Sequence, residues 1–172
     1  MFDKFGEFDS AEEINKAAQG LKDEGDTESI KSLAKENGLD PEDAIDFING
    51  EIDTLTTPLL AAGGKLDIEE EALNLPKDIL IRDWVNYIRQ EMVEDEDLRA
   101  AVRKKGKKLS ECVGALMKFS FDNRWEVPKA ITEGAKLGSN CKVEFGIPSK
   151  VKVKEIIKTY YGGEDGNAEK GN

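Results

Sequence analysis

Apolar residues along this chain recur at three- and four-residue intervals far more often than they alternate, which predicts a succession of amphipathic helices. Ser10 followed by Glu13 is a capping-box pair, and Ile14, Ala17, Ala18 and Leu21 then line one face, with Phe5 or Phe8 placed to staple the entry. Residues 27–37 repeat the pattern through Ile30, Leu33 and Ala34 and end at Gly38. A third helix starts at Asp40 as N-cap with Pro41 in the first turn and runs through Ala44, Ile45 and Ile48 to Gly50. Between 51 and 76, Pro58, Gly63-Gly64 and Pro76 interrupt an apolar run, and a helix is expected near 51–62.

The clearest stripe follows. Ile81, Trp84, Val85, Ile88 and Met92 make residues 78–94 a core helix. A short helix over 96–105 ends at Gly106, another over 109–121 carries Leu109, Cys112, Val113 and Leu116, and a further one covers about 127–137 with Gly138 as its stop. Cys141–Phe145 alternates, with Val143 and Phe145 on one side and Lys142 and Glu144 on the other, and reads as one strand with no evident partner. Ser149 caps a last helix with Val153, Ile156, Ile157 and Tyr160 on its apolar face, stopping at Gly162-Gly163. The expected fold is therefore mainly α. It comprises seven to eight helices in a single domain over residues 1–161, at most one minor β element, and a disordered polar tail at 162–172.

Charge adds a second pattern. Residues 1–100 hold 27 Asp/Glu against 10 Lys/Arg, while residues 101–172 hold 9 against 15, so a half of −17 precedes a half of +6 in a chain of net −11. Histidine is absent, which removes the commonest general base and metal ligand. No P-loop, dinucleotide fingerprint or nucleophile motif with a base is found, and LDPEDAIDFINGE lacks the alternating ligands and sixth-place Gly of a calcium loop. No catalytic residue, metal or cofactor is expected. Cys112 and Cys141, 29 positions apart, read as reduced thiols. With neither a signal-like N-terminus nor a run of about 20 apolar residues, the expectation is a cytoplasmic protein that does not enter a membrane.

Two charged features invite binding. Arg103, Lys104, Lys105, Lys107 and Lys108 cluster around Gly106, and Lys150, Lys154 and Lys158 fall at i, i+4, i+8 on the last helix. They are candidates for nucleic-acid phosphates, although a solvated helix face and complementation of helix dipoles account for them equally well. The acidic runs Asp23, Glu24, Asp26 and Glu94, Asp95, Glu96, Asp97 are the candidates for contact with a protein partner, because Lys/Arg grooves that hold phosphates also accept carboxylates. Ordinary acidic solubility is the competing explanation.

Three stretches, FDKFGEFDSAEEINKAA at 2–18, AVRKKGKKLSECVGALMKFSF at 101–121 and GIPSKVKVKEIIKTYY at 146–161, resemble the PcfK-like proteins of conjugative and other mobile elements of gut Firmicutes. That group includes Cas9-inhibiting anti-CRISPR proteins. The resemblance implies a non-catalytic inhibitor that binds Cas9, in its guide-RNA-loaded form, through channels rich in positive charge. The alternative is an accessory DNA-binding protein of a conjugative element that uses the basic half.

Overall fold

The computed structural model describes residues 2–137 and 141–163. Among them are nine helices: α1 (Ala11–Asp23), α2 (Thr27–Glu36), α3 (Pro41–Asn49), α4 (Pro58–Leu73), α5 (Leu80–Glu94), α6 (Glu96–Arg103), α7 (Leu109–Asp122), α8 (Lys129–Gly134) and α9 (Lys150–Gly162). One small antiparallel ribbon joins β1 (Trp125–Glu126) to β2 (Glu144–Phe145). The fold is mainly helical, as the periodicity requires.

Caps set most of the boundaries. The Ser10 hydroxyl accepts from the Glu13 N–H at 3.3 Å, and the Glu13 carboxylate reaches back to the Asp9 N–H at 2.8 Å, one residue before the usual capping-box partner. Phe5 and Phe8 are both half-buried against the adjoining core. Asp26, Asp40, Asp95 and Ser149 cap α2, α3, α6 and α9 by the same device.

Helix α4 departs from expectation. Residues 51–55 are bends, Thr57 is the N-cap, Pro58 opens the helix rather than breaking it, and the Gly63-Gly64 pair lies inside. It carries no single apolar stripe because it is covered on more than one side. Ala61 belongs to a core built from α1–α3, around Ile14, Ile30, Leu33 and Phe47, whereas Ala62 and Leu66 belong to a second core with Trp84, Ile88, Leu116 and Ile157. The two cores meet on α4.

Glycine makes that meeting possible. Gly38, in the left-handed conformation just after α2, lies against Gly64, and a Cβ on Gly64 would overlap the Asn37 carbonyl oxygen.

The other differences lie near the C-terminal end. The helix expected at 127–137 shortens to α8, because Val127 pairs with Val143 and Pro128 is the N-cap, while Trp125–Glu126 supplies the strand partner that the sequence did not reveal. Trp125 faces Phe145, and Glu126 faces Glu144. Gly138, the expected stop, lies outside the described residues, as does the tail from 164 onward, while Gly162 still belongs to α9. Cys112 is buried, and burial pushes its thiol up to about 12; Cys141 is exposed.

Trp84 is 5% exposed. Trp84→Ala is expected to cost about 3–5 kcal/mol in urea unfolding. Gly64→Ala, which adds one methyl group, should cost about 3 kcal/mol, because the obstacle is backbone rather than a movable side chain. Unchanged urea midpoints would show that these faces do not pack as described.

Candidate functional site

The basic loop between α6 and α7 is held by the chain's own carboxylates. Gly106 has φ 82°, a left-handed turn at which two successive N–H groups meet carboxylates of the N-terminal segment. The Lys105 N–H donates to Asp9 at 2.8 Å and the Gly106 N–H to Glu7 at 3.1 Å. Consecutive amides of this kind form an anion-binding concavity. Beneath them the Lys65 side chain is 0% exposed, with its ammonium 2.6 Å from the other Glu7 oxygen and 2.6 Å from the Lys104 carbonyl. Glu69, 4.0 Å from Lys65, accepts from the Leu109 N–H at 2.6 Å, and burial raises its pKa.

Two of the expected phosphate contacts are structural instead. Arg103 is 2% exposed and donates to the buried Asn37 side chain at 2.7 Å, with the Phe2 ring 5.9 Å away. Burial lowers its pKa, and the charges of Glu7 and Glu69 oppose that shift. Lys107, also buried, donates to the Tyr160 and Gly163 carbonyls at 3.1 and 2.9 Å and so closes the C-terminus of α9. Neither reaches the surface where a nucleic-acid backbone would lie. Lys108 is exposed and 3.9 Å from Glu111, and Lys104 and Lys105 are exposed with no carboxylate partner for their side chains among the described residues.

The lysine stripe of α9 is paired in register with α5. Lys150 lies 5.7 Å from the Tyr87 ring, Lys154 is 2.8 Å from Glu91, and Lys158 is 2.5 Å from Asp95. Both sets of residues step by four, so each lysine meets its partner one turn further along. Hydrogen bonds from Lys154 and Lys158 hold the Glu91 and Asp95 carboxyls below the usual range. The pairs flank an open groove of about 600 Å³, with Glu94, Glu96 and Asp97 on its rim.

The acidic candidates are less committed. Asp95 pairs with Lys158 and caps α6 through the Leu98 N–H, Asp26 caps α2 with both oxygens on Ser29, and Asp23 accepts from Gln19. Glu24, Glu94, Glu96 and Asp97 are exposed and, among the described residues, have no ion-pair partner. The sequence reading missed further exposed carboxylates on α3 and beyond it, including Glu42, Glu51 and Asp53. Their signal was present in the density of Asp and Glu over 40–53, but short apolar spacing there drew attention to the core face instead.

Among the described residues no group of three or more Asp, Glu or Cys could hold a metal ion, and no helix is long and apolar enough to cross a membrane. No family model, curated protein or solved structure matches the chain.

Arg103→Ala, which leaves the Asn37 amide and nearby carboxylates without their cation, should destabilise by about 3 kcal/mol. Lys104→Glu with Lys105→Glu should change stability by no more than about 0.5 kcal/mol. Equal urea midpoints for the two variants would refute the division into structural and surface cations. Stability should also fall with acid: Glu91 and Asp95 have folded pKa values below their unfolded ones, so their contribution is complete above the unfolded values and lost as pH drops through the folded ones. A Glu91→Gln, Asp95→Asn variant should therefore lose less melting temperature between pH 6 and pH 3 than the parent.

Proposed function

We infer that this is a non-catalytic binding protein whose acidic first layer seats in a cationic groove of a protein partner, and that guide-loaded Cas9 is that partner. The supporting observation is the imbalance of uncommitted charge. Residues 1–57 hold 16 Asp/Glu against 5 Lys and no Arg. Three of those lysines are occupied within the layer: Lys4 donates to Ser29, Lys22 to the Phe47 carbonyl, and Lys31 to Glu28. The remaining carboxylate excess faces outward, where it matches a surface built to hold phosphates.

Cas9 is the partner that the PcfK-like resemblance implies, and its heteroduplex channel and motif-reading arginines supply cationic surfaces of this kind. Inhibition by occupancy is stoichiometric. The reading of the basic half as a DNA-binding surface has less support, since Arg103, Lys107, Lys154 and Lys158 are engaged within the protein.

The test is capture of guide-loaded Cas9 by the intact protein, followed by titration of target cleavage. Reversal of Glu24, Glu42, Glu51 and Asp53 to Lys, all exposed in the first layer, which spares the caps Asp26 and Asp40, should weaken capture roughly tenfold or more, a change of about 1.4 kcal/mol per decade. Lys104→Glu with Lys105→Glu should leave capture nearly unchanged. Absence of capture by the parent protein would reject Cas9 as partner. Loss confined to the lysine variant would reject the acidic layer as the contact.

A further inference from the structure

Far from the acidic layer in sequence, the ribbon exposes what helical proteins normally bury. Phe121 is 64% exposed, Trp125 54% and Phe145 49%. Trp125 and Phe145 are directly opposed in the ribbon and so project from the same face. The other face carries Glu126 and Glu144, with the Lys142 ammonium 3.9 and 2.8 Å from them. The ribbon thus sorts aromatic rings to one side and neutralised charge to the other.

Its position is fixed by close packing. Gly146 sits against the end of α7, where a Cβ would overlap the Ser120 carbonyl oxygen, so Phe145 is held beside the turn that carries Phe121 and Arg124. The Arg124 guanidinium lies 4.1 Å from the Phe121 ring centre, and its Nε donates to the Phe121 carbonyl at 2.9 Å. Val127 donates to the Val143 carbonyl at 2.8 Å, which extends the pairing past the two strands.

Local charge is opposite in sign to the protein as a whole. Residues 117–152 contain seven Lys/Arg and four Asp/Glu. Three of those carboxylates are already paired, Asp122 with Lys118 and the two ribbon glutamates with Lys142. Among the described residues Arg124, Lys129 and Lys136 have no ion-pair partner.

We propose that this aromatic face, Phe121, Trp125 and Phe145 with Arg124, is a stacking platform for single-stranded nucleic acid. Exposed rings accept unpaired bases of any sequence, a guanidinium over a ring extends the stack, and unpaired cations accept phosphates. A second copy is the poorer occupant, because it would bring two faces of like net charge together. The surface is separate from the acidic layer and from the lysine cluster at 103–108.

The experiment reads tryptophan emission. Trp84 is buried and Trp125 exposed, so base stacking quenches only the red, solvent-exposed component. Titration with an oligothymidylate of about 12 nucleotides at 50 mM salt should quench that component, and binding should weaken steeply at 200 mM. Trp125→Ala and Phe145→Ala, which remove exposed rings and leave the far-UV spectrum unchanged, should each lower affinity about tenfold in a gel shift. Absence of quenching overturns the proposal. So does oligonucleotide binding that survives both variants but is lost in Lys104→Glu with Lys105→Glu. A blue shift of Trp125 with protein concentration, together with faster sedimentation in the absence of oligonucleotide, would reassign the face to self-association.

Discussion

Two desolvated cations hold the architecture to one arrangement. Lys65 and Arg103 are enclosed at the junction of the two cores, and each depends on partners that come from distant parts of the chain. An ammonium taken from water costs several kcal/mol unless its protons are accommodated. For Lys65 the acceptors are a carboxylate from the N-terminal segment and a carbonyl from the loop after α6. Any docking of α1–α3 on α4 that displaces Glu7 takes from that charge its nearest carboxylate, with Glu69 at 4.0 Å the one that remains among the described residues. The apolar contacts supply the bulk of the stabilisation, whereas the buried polar set removes the alternatives.

Charge in this molecule therefore plays three separate parts. Some is interior and fixes geometry, as in Lys65, Arg103 and Glu69. Some neutralises itself across the surface, as where the lysines of α9 meet Glu91 and Asp95. The remainder is unspent, and it is overwhelmingly carboxylate in the first layer. Only this last class is available to a partner without loss of an internal contact.

Much of the fold was legible because local rules and tertiary packing agree. The capping residues Ser10, Asp26, Asp40 and Ser149 and the stripe on α5 announce their helices without help from elsewhere. Helix α4 was obscured because a segment covered on two sides has no polar face to give it a period, and its Gly63-Gly64 pair reads locally as a break. The ribbon was half legible, since two residues are too few to alternate and Trp125 stands between Arg124 and Glu126 like a loop residue. For the candidate sites, sequence marked the charged runs but not their commitments. That Lys158 faces Asp95, 63 positions away, or that Arg103 points inward to Asn37, depends on packing that composition does not encode.

The bonds from Asp9 and Glu7 to the amides of Lys105 and Gly106 span 96 and 99 positions of chain. This has a consequence for biogenesis. A chain emerging from a ribosome can complete the α1–α3 layer by residue 57, yet Glu7 has no amide to receive until residue 106 has been added. At synthesis rates of about 5–20 residues per second, that interval is roughly 2–10 s, far longer than helix formation or local collapse. During it Phe2 lacks Arg103, the later residue that its ring faces, whereas Phe5 can already pack on the first layer, so final closure over residues 7–9 is a late event imposed by connectivity.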